Sequence, residues 1–244
     1  NGVAGAEFTD TRGNNVFAQE DADANNTGGF RPSGGASLNF DFPLDLTQAP
    51  SAHQSTAITQ LYYLNNVIHD IFYHYGFNEA AGNFQETNYT GTGLGSDPVQ
   101  ADAQDGSDVN NANFQTPPDG TDPRMQMYLF NTFTPNRDGD LDNGIILHEY
   151  GHGVSNRLTG GPSNTSCLEQ IQSNGMGEGW SDFWSLVFTA RSSDVGSDAR
   201  TVGSYVDPGG IRSVPYSTNM PIDPYTFGRV RSLNEEHDVG EVWA

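Results

Sequence analysis

Two histidines four residues apart, His148 and His152 in the string HEYGH, stand one turn from each other if that string is helical. Residues i and i+4 lie about 6 Å apart along a helix axis and share a face, so both imidazoles can reach one cation. Glu149, beside the first histidine, is turned enough to reach a metal-bound water without occupying the metal. That chemistry is hydrolytic: zinc (Zn2+) activates a water and a carboxylate takes its proton.

A string of this kind arises by chance in roughly one such chain in two hundred, so a third ligand is required before the reading stands. Hydrolytic zinc takes three protein ligands and leaves the fourth position to solvent. The segment NGMGEGWSDFWSLVF follows His152 and offers Glu178 on a separate helix. Asn174 is expected to cap that helix and Glu178 to sit in its first turn. Asp182, four residues on, is placed to receive the free ring N–H of a ligating histidine. Trp180, Phe183 and Trp184 are expected to bury the helix. The alternative, a solvated acidic face, loses its force beside HEYGH.

Other elements must hold these side chains in place. The run STAITQLYYLNNVIHDIFYHYGF puts Ile58, Leu61, Tyr62, Ile68, Ile71, Phe72 and Tyr75 at helical spacing, and Gly76 supplies a stop. His69 and His74 are five apart, too far round a helix to share one ion, and read as packed or capping histidines. Residues 1–54 and 83–123 are rich in Gly, Asn, Asp, Ser, Thr and Pro and read as loops with short strands. A strand is expected from Met125. Asp138, Asp140 and Asp142 copy three positions of a calcium loop, with Glu149 at the twelfth. Asn143 stands where that loop needs glycine, so acidic capping of the next helix is the better reading.

Composition narrows the class. The 244 residues carry 31 acidic against 10 basic side chains, a formal charge of −21, which argues against nucleic acid or anionic membranes as partners. No apolar run reaches the roughly 18 residues of a membrane span. One cysteine, Cys167, leaves no internal disulfide. Abundant Asn, Gly, Ser, Thr and Asp, with sequons at Asn25, Asn88 and Asn164, suit a secreted, extracellular protein and make calcium (Ca2+) a candidate second ion. The first residue is Asn1, so signal and pro segments are expected to have been removed.

The stretches DGDLDNGIILHEYGHGVSNRLTGGP and GMGEGWSDF resemble the fungalysin family of secreted zinc metallopeptidases, relatives of thermolysin. The resemblance extends through YGFNEAAGNFQ, NNANFQTPPDG, PRMQMYLF, PYSTNM and HDVGEVWA, covering most residues from about 14 to the end. It implies His148, His152 and Glu178 as metal ligands and Glu149 as the catalytic base. It also implies that His237, in EEHDVGEVWA, donates to the tetrahedral oxyanion, although Glu236 stands where relatives tend to carry an apolar residue. By the same resemblance NNANF forms a sheet edge along which an extended peptide substrate adds, with Asn111 and Ala112 offering polar groups. Arg212 is either a substrate contact or a structural ion pair. The relatives are made with an inhibitory propeptide.

The expectation is thus an α+β, thermolysin-like metallopeptidase. Residues 1–160 form a β-rich N-terminal domain ending in the HExxH helix. Residues 161–244 begin a helical C-terminal domain carrying the third ligand, with a last helix at Glu241-Val242-Trp243-Ala244 that reads as unfinished. The function implied is a secreted zinc metalloendopeptidase; the rival is a non-catalytic extracellular metal-binding or interaction module.

Overall fold

The computed structural model describes residues 8–244, so the first seven residues of the 1–54 segment lie outside it. The chain is mixed α+β. Strand β1 (Val16–Glu20) is followed by helix α1 (Gln54–His74), strands β2 (Val99–Val109), β3 (Ala112–Gln115), β4 (Arg124–Phe130) and β5 (Arg137–Asp138), then helices α2 (Asn143–Thr159), α3 (Ile171–Phe188) and α4 (Glu236–Trp243). The sheet runs β1-β2-β4-β3, with β5 also on β4. The first three are parallel, whereas β3 and β5 run antiparallel to β4. β3 therefore ends the sheet, as the reading of NNANF as an edge expected.

Strand β2 is the element that the residue pattern hid. VQADAQDGSDV is poor in the β-branched and aromatic residues that strands favour. It forms because Val99, Ala101 and Ala103 alternate into the core between β1 and β4, while Asp102 on the other face takes the Gln19 side-chain amide at 2.9 Å and pairs with Arg124.

The core joins one face of this sheet to two helices: Val16 and Ala18 from β1, Met125 and Met127 from β4, Ile58, Leu61 and Ile68 from α1, and Ile145, Ile146 and Tyr150 from α2. Helix α1 spans the expected residues, and Gly76, at φ 106°, follows its end. Its buried face carries Ile58, Leu61, Ile68 and Phe72, but Tyr75 is 87% exposed because the helix has already ended. His69 is packed, 3.2 Å from Gln85 Oε1 and 3.1 Å from Asn83 Nδ2, and His74 lies exposed in the last turn.

Helix α2 is fixed at both ends. Asp142 is its N-cap, with Oδ1 accepting the Gly144 N–H at 3.0 Å and Oδ2 the N–H groups of Tyr205 and Val206. Asp138 likewise caps the short 3-10 turn before it. The acidic run thus caps helices, as expected. Near the other end Arg157 is wholly buried; its guanidinium donates to Pro117 O at 2.8 Å and Gly82 O at 2.9 Å and pairs with Asp97 at 3.1 Å.

Removing one partner of a buried ion pair leaves the other charged and unsolvated, at a cost of about 3–5 kcal/mol. Arg157→Met is expected to lose about that much stability in urea denaturation, and adding Asp97→Asn should recover part of it.

Candidate metal centre

On α2 the ring centroids of His148 and His152 are 4.7 Å apart and their Nε2 atoms 3.0 Å apart. Glu178 reaches both from α3, with Oε2 3.3 Å from His148 Nε2 and Oε1 3.4 Å from His152 Nε2. The two helices come this close because α2 carries Gly151 where it meets Ser181: a side chain there would place its first carbon 3.0 Å from the Ser181 Cα.

These donors suit zinc. A tetrahedral ion with bonds of about 2.0–2.1 Å needs ligand atoms roughly 3.3 Å apart, close to the three separations found. Two imidazole Nε2 atoms facing each other at 3.0 Å also need something positive between them, a proton or a cation. The donor set of two histidines and one carboxylate, buried except towards a cleft, is that of hydrolytic zinc.

Asp182 lies one turn beyond Glu178, with Oδ1 2.7 Å from His148 Nδ1. Arg212 donates to it through Nε at 2.7 Å and Nη2 at 3.0 Å, and the Tyr216 hydroxyl donates to its Oδ2. Arg212 Nη2 is also 3.4 Å from Glu178 Oε2. Arg212 is therefore a buried ion pair beside the ligands. Its scarcity in an acidic chain was the only sequence signal for it, and Tyr216 gave none.

Helix α3 differs from expectation at two points. It starts at Ile171, with Gln170 as an N-cap whose side chain makes no capping bond, so Asn174 lies inside the helix and Glu178 near its middle. Trp184 packs edge-on to Phe72 and Trp180 is half-buried, but Phe183 points outwards, 46% exposed, a position about 100° round the helix from its neighbour.

Burial and charge set the protonation of the group. Burial opposes a charge on His148, but Asp182 and Glu178 outweigh it and lift its pKa to about 10. His152 falls to about 4 through burial and its charged neighbour His148. Burial raises Glu178, yet His148 and His152 bring it down to about 2. Glu149 is buried beside the ligands and rises to about 7, mainly by desolvation and further by Glu178.

The donors open into a cleft of about 860 Å³ lined by Asn111 and Ala112 on the β3 side, Glu149 on its floor, and Arg212 and His237 opposite. His237 sits in the first turn of α4, with Nε2 3.7 Å from Glu178 Oε2 and Nδ1 2.6 Å from Glu235 Oε1. Glu235 is the α4 N-cap, also accepting the Asp238 N–H, and the sequence reading missed it. A larger hollow of about 960 Å³ lies beside α1 and the segment before β1; among the described residues no metal donors converge on it, and chemistry rather than size marks the candidate cleft.

Two helices bring two imidazoles and a carboxylate to one point, with a second carboxylate beside them in a cleft bordered by a sheet edge, a donor group that could hold a metal ion. The chain belongs to the fungalysin metallopeptidases: the family model for fungalysin metallopeptidase (M36) matches residues 1–244. It is similar to extracellular metalloproteinase 2 of Trichophyton tonsurans and of Arthroderma benhamiae, each 46% identical over 246 residues. Extracellular metalloproteinase 3 of Arthroderma otae is 46% identical over 243 residues. The match covers 98% of this chain and 38% of each of these relatives, so the chain spans well under half their length.

Zinc must displace the proton that His148 carries below about pH 10, whereas His152 is already neutral above about pH 5. Zinc affinity is therefore expected to rise about tenfold per pH unit between pH 6 and 8, with one proton released per ion, measured by calorimetry in buffers of different ionisation enthalpy. Asp182→Asn should weaken zinc binding by roughly 10- to 100-fold.

Proposed function

We propose that the protein is a secreted zinc metalloendopeptidase of thermolysin-like architecture that hydrolyses internal peptide bonds of extended substrates. The observation that carries this reading is the convergence of His148, His152 and Glu178 within hydrogen-bonding range of one another, with Glu149 in the same open cleft. The names of the relatives, extracellular metalloproteinases, support both the activity and the location. Among the described residues no helix is long and apolar enough to cross a membrane. Residues 1–160 and 161–244 are read as the two lobes between which the cleft lies.

Held by His148, His152 and Glu178, zinc would supply Lewis acidity, polarising the scissile carbonyl and making water a nucleophile near neutral pH. Glu149 accepts the proton of the attacking water and passes it to the leaving nitrogen, so the C–N bond breaks as a free amine forms. A base with a pKa near the working pH suits that double task. His237 is the donor to the oxyanion: with Nδ1 2.6 Å from Glu235 Oε1, the ring presents Nε2 on the Glu178 side of the cleft. The peptide backbone adds along the β3 edge, with Asn111 and Ala112 at its start. An inhibitory propeptide covers the cleft before maturation. Of the three aspartates that copy a calcium loop, Asp138 and Asp142 have their oxygens engaged by backbone and amide donors, whereas Asp140 Oδ1 is buried without a partner.

Glu149→Gln is expected to keep zinc and to lower casein hydrolysis by roughly 10²- to 10⁴-fold. Retained hydrolysis in that variant, hydrolysis indifferent to a chelator, or less than about 0.2 zinc per purified chain would overturn the reading, and absence of hydrolysis from the unmodified protein would favour a metal-binding or interaction module.

A further inference from the structure

Helix α4 presents two side chains to the cleft from one face: His237 in its first turn and Glu241 four residues on. His237 is 46% exposed and held by Glu235, a residue of its own helix end. Glu241 is buried and has no part in the mechanism above. Its Oε1 accepts the Ser213 N–H at 2.8 Å and its Oε2 accepts the Ser213 hydroxyl, which in turn lies 2.7 Å from the Tyr225 hydroxyl. Ser213 directly follows Arg212, whose guanidinium holds Asp182 and reaches Glu178. One carboxylate thus joins the helix that carries His237 to the loop that clamps the ligand network.

The remaining seat of α4 is apolar and close. α3 and α4 meet across glycines: a methyl group at Gly175 would come within 2.3 Å of Val239 Cγ1, at Gly179 within 2.5 Å of Trp243 Cβ, and at Gly240 within 2.5 Å of Glu178 Cβ. Val239 seats on Gly175 and Trp243 packs edge-on to Phe227, apolar contacts that set the approach of the helix without giving its His237 face a directional bond. A buried carboxylate that accepts two hydrogen bonds from one residue resists rotation about the helix axis. Nor does any arginine or histidine pair with Glu241 among the described residues, so its burial is opposed by desolvation and answered only by those hydrogen bonds.

We propose that Glu241 is a positioning residue: its bonds to Ser213 fix the rotation of α4 and thereby hold His237 within reach of the metal centre. The proposal rests on the peptidase reading and on His237 as donor. In the full protein, Glu241→Ala is expected to lower kcat about tenfold, with KM and zinc content unchanged. Glu241→Gln removes the charge but keeps an acceptor for the Ser213 N–H, and should retain most of kcat. In a His237→Ala background Glu241→Ala should cost nothing further, because the group it positions is gone. Ser213→Ala, which leaves the backbone bond intact, should show a smaller loss of kcat with the same dependence on His237, and it serves if Glu241→Ala does not fold. Losses that add to that of His237→Ala, equal losses in the Ala and Gln variants, or loss of zinc would overturn the latch. Failure of the peptidase reading looks different: peptide hydrolysis is then absent from the unmodified protein or survives Glu149→Gln.

Discussion

The site depends on one buried carboxylate. Asp182 is 1% exposed and accepts four hydrogen bonds, from His148 Nδ1, from Nε and Nη2 of Arg212, and from the Tyr216 hydroxyl. Burial alone would raise its pKa, but His148 and Arg212 hold it well below the usual carboxylate range. The same field raises Arg212 above its ordinary value. With every oxygen engaged, the carboxylate has one orientation, and that orientation fixes both the tautomer of His148 and the direction of its Nε2. A charge buried this deeply is tolerable only as part of a complete set, so helix α3, the loop at Arg212 and the strand-like segment at Tyr216 stand or fall together.

The chemistry of the centre was legible because it follows helical spacing. HEYGH and the pair Glu178–Asp182 each use the i, i+4 relation, which a sequence displays directly. What surrounds them follows contacts between distant segments. Arg212 and Tyr216 reach Asp182 from about 30 residues away, out of irregular chain whose path no periodicity encodes. β2 was hidden because Ala, Asp and Gly disfavour strands in isolation and only its neighbours on both sides make it one. The start of α3 was set too late because Asn174 looks like a cap, whereas the helix begins before it without any side-chain cap. The acidic run before α2, in contrast, could be read correctly from one missing glycine.

The sheet and α2 divide the remaining work. α2 is held at its first turn by Asp142 and near its last by Arg157, so the two histidines sit on a rod that cannot slide or tilt freely. β3 closes the sheet on the side facing that rod, and its free edge borders the cleft. A rigid donor pair next to an unpaired strand edge is the geometry on which the proposed function rests, in which an extended chain would lie across the donors.

Helix α3 carries Gly175, Gly177 and Gly179 around the residue that completes the donor set. Each glycine costs about 1 kcal/mol of helix stability relative to alanine, and a helix of this length is marginal by itself in water. α3 is thus stable only once docked between α2 and α4. Glu178 therefore faces the two histidines only while α3 is packed in place, and the donor set is a product of the assembled helical layer rather than of any one segment.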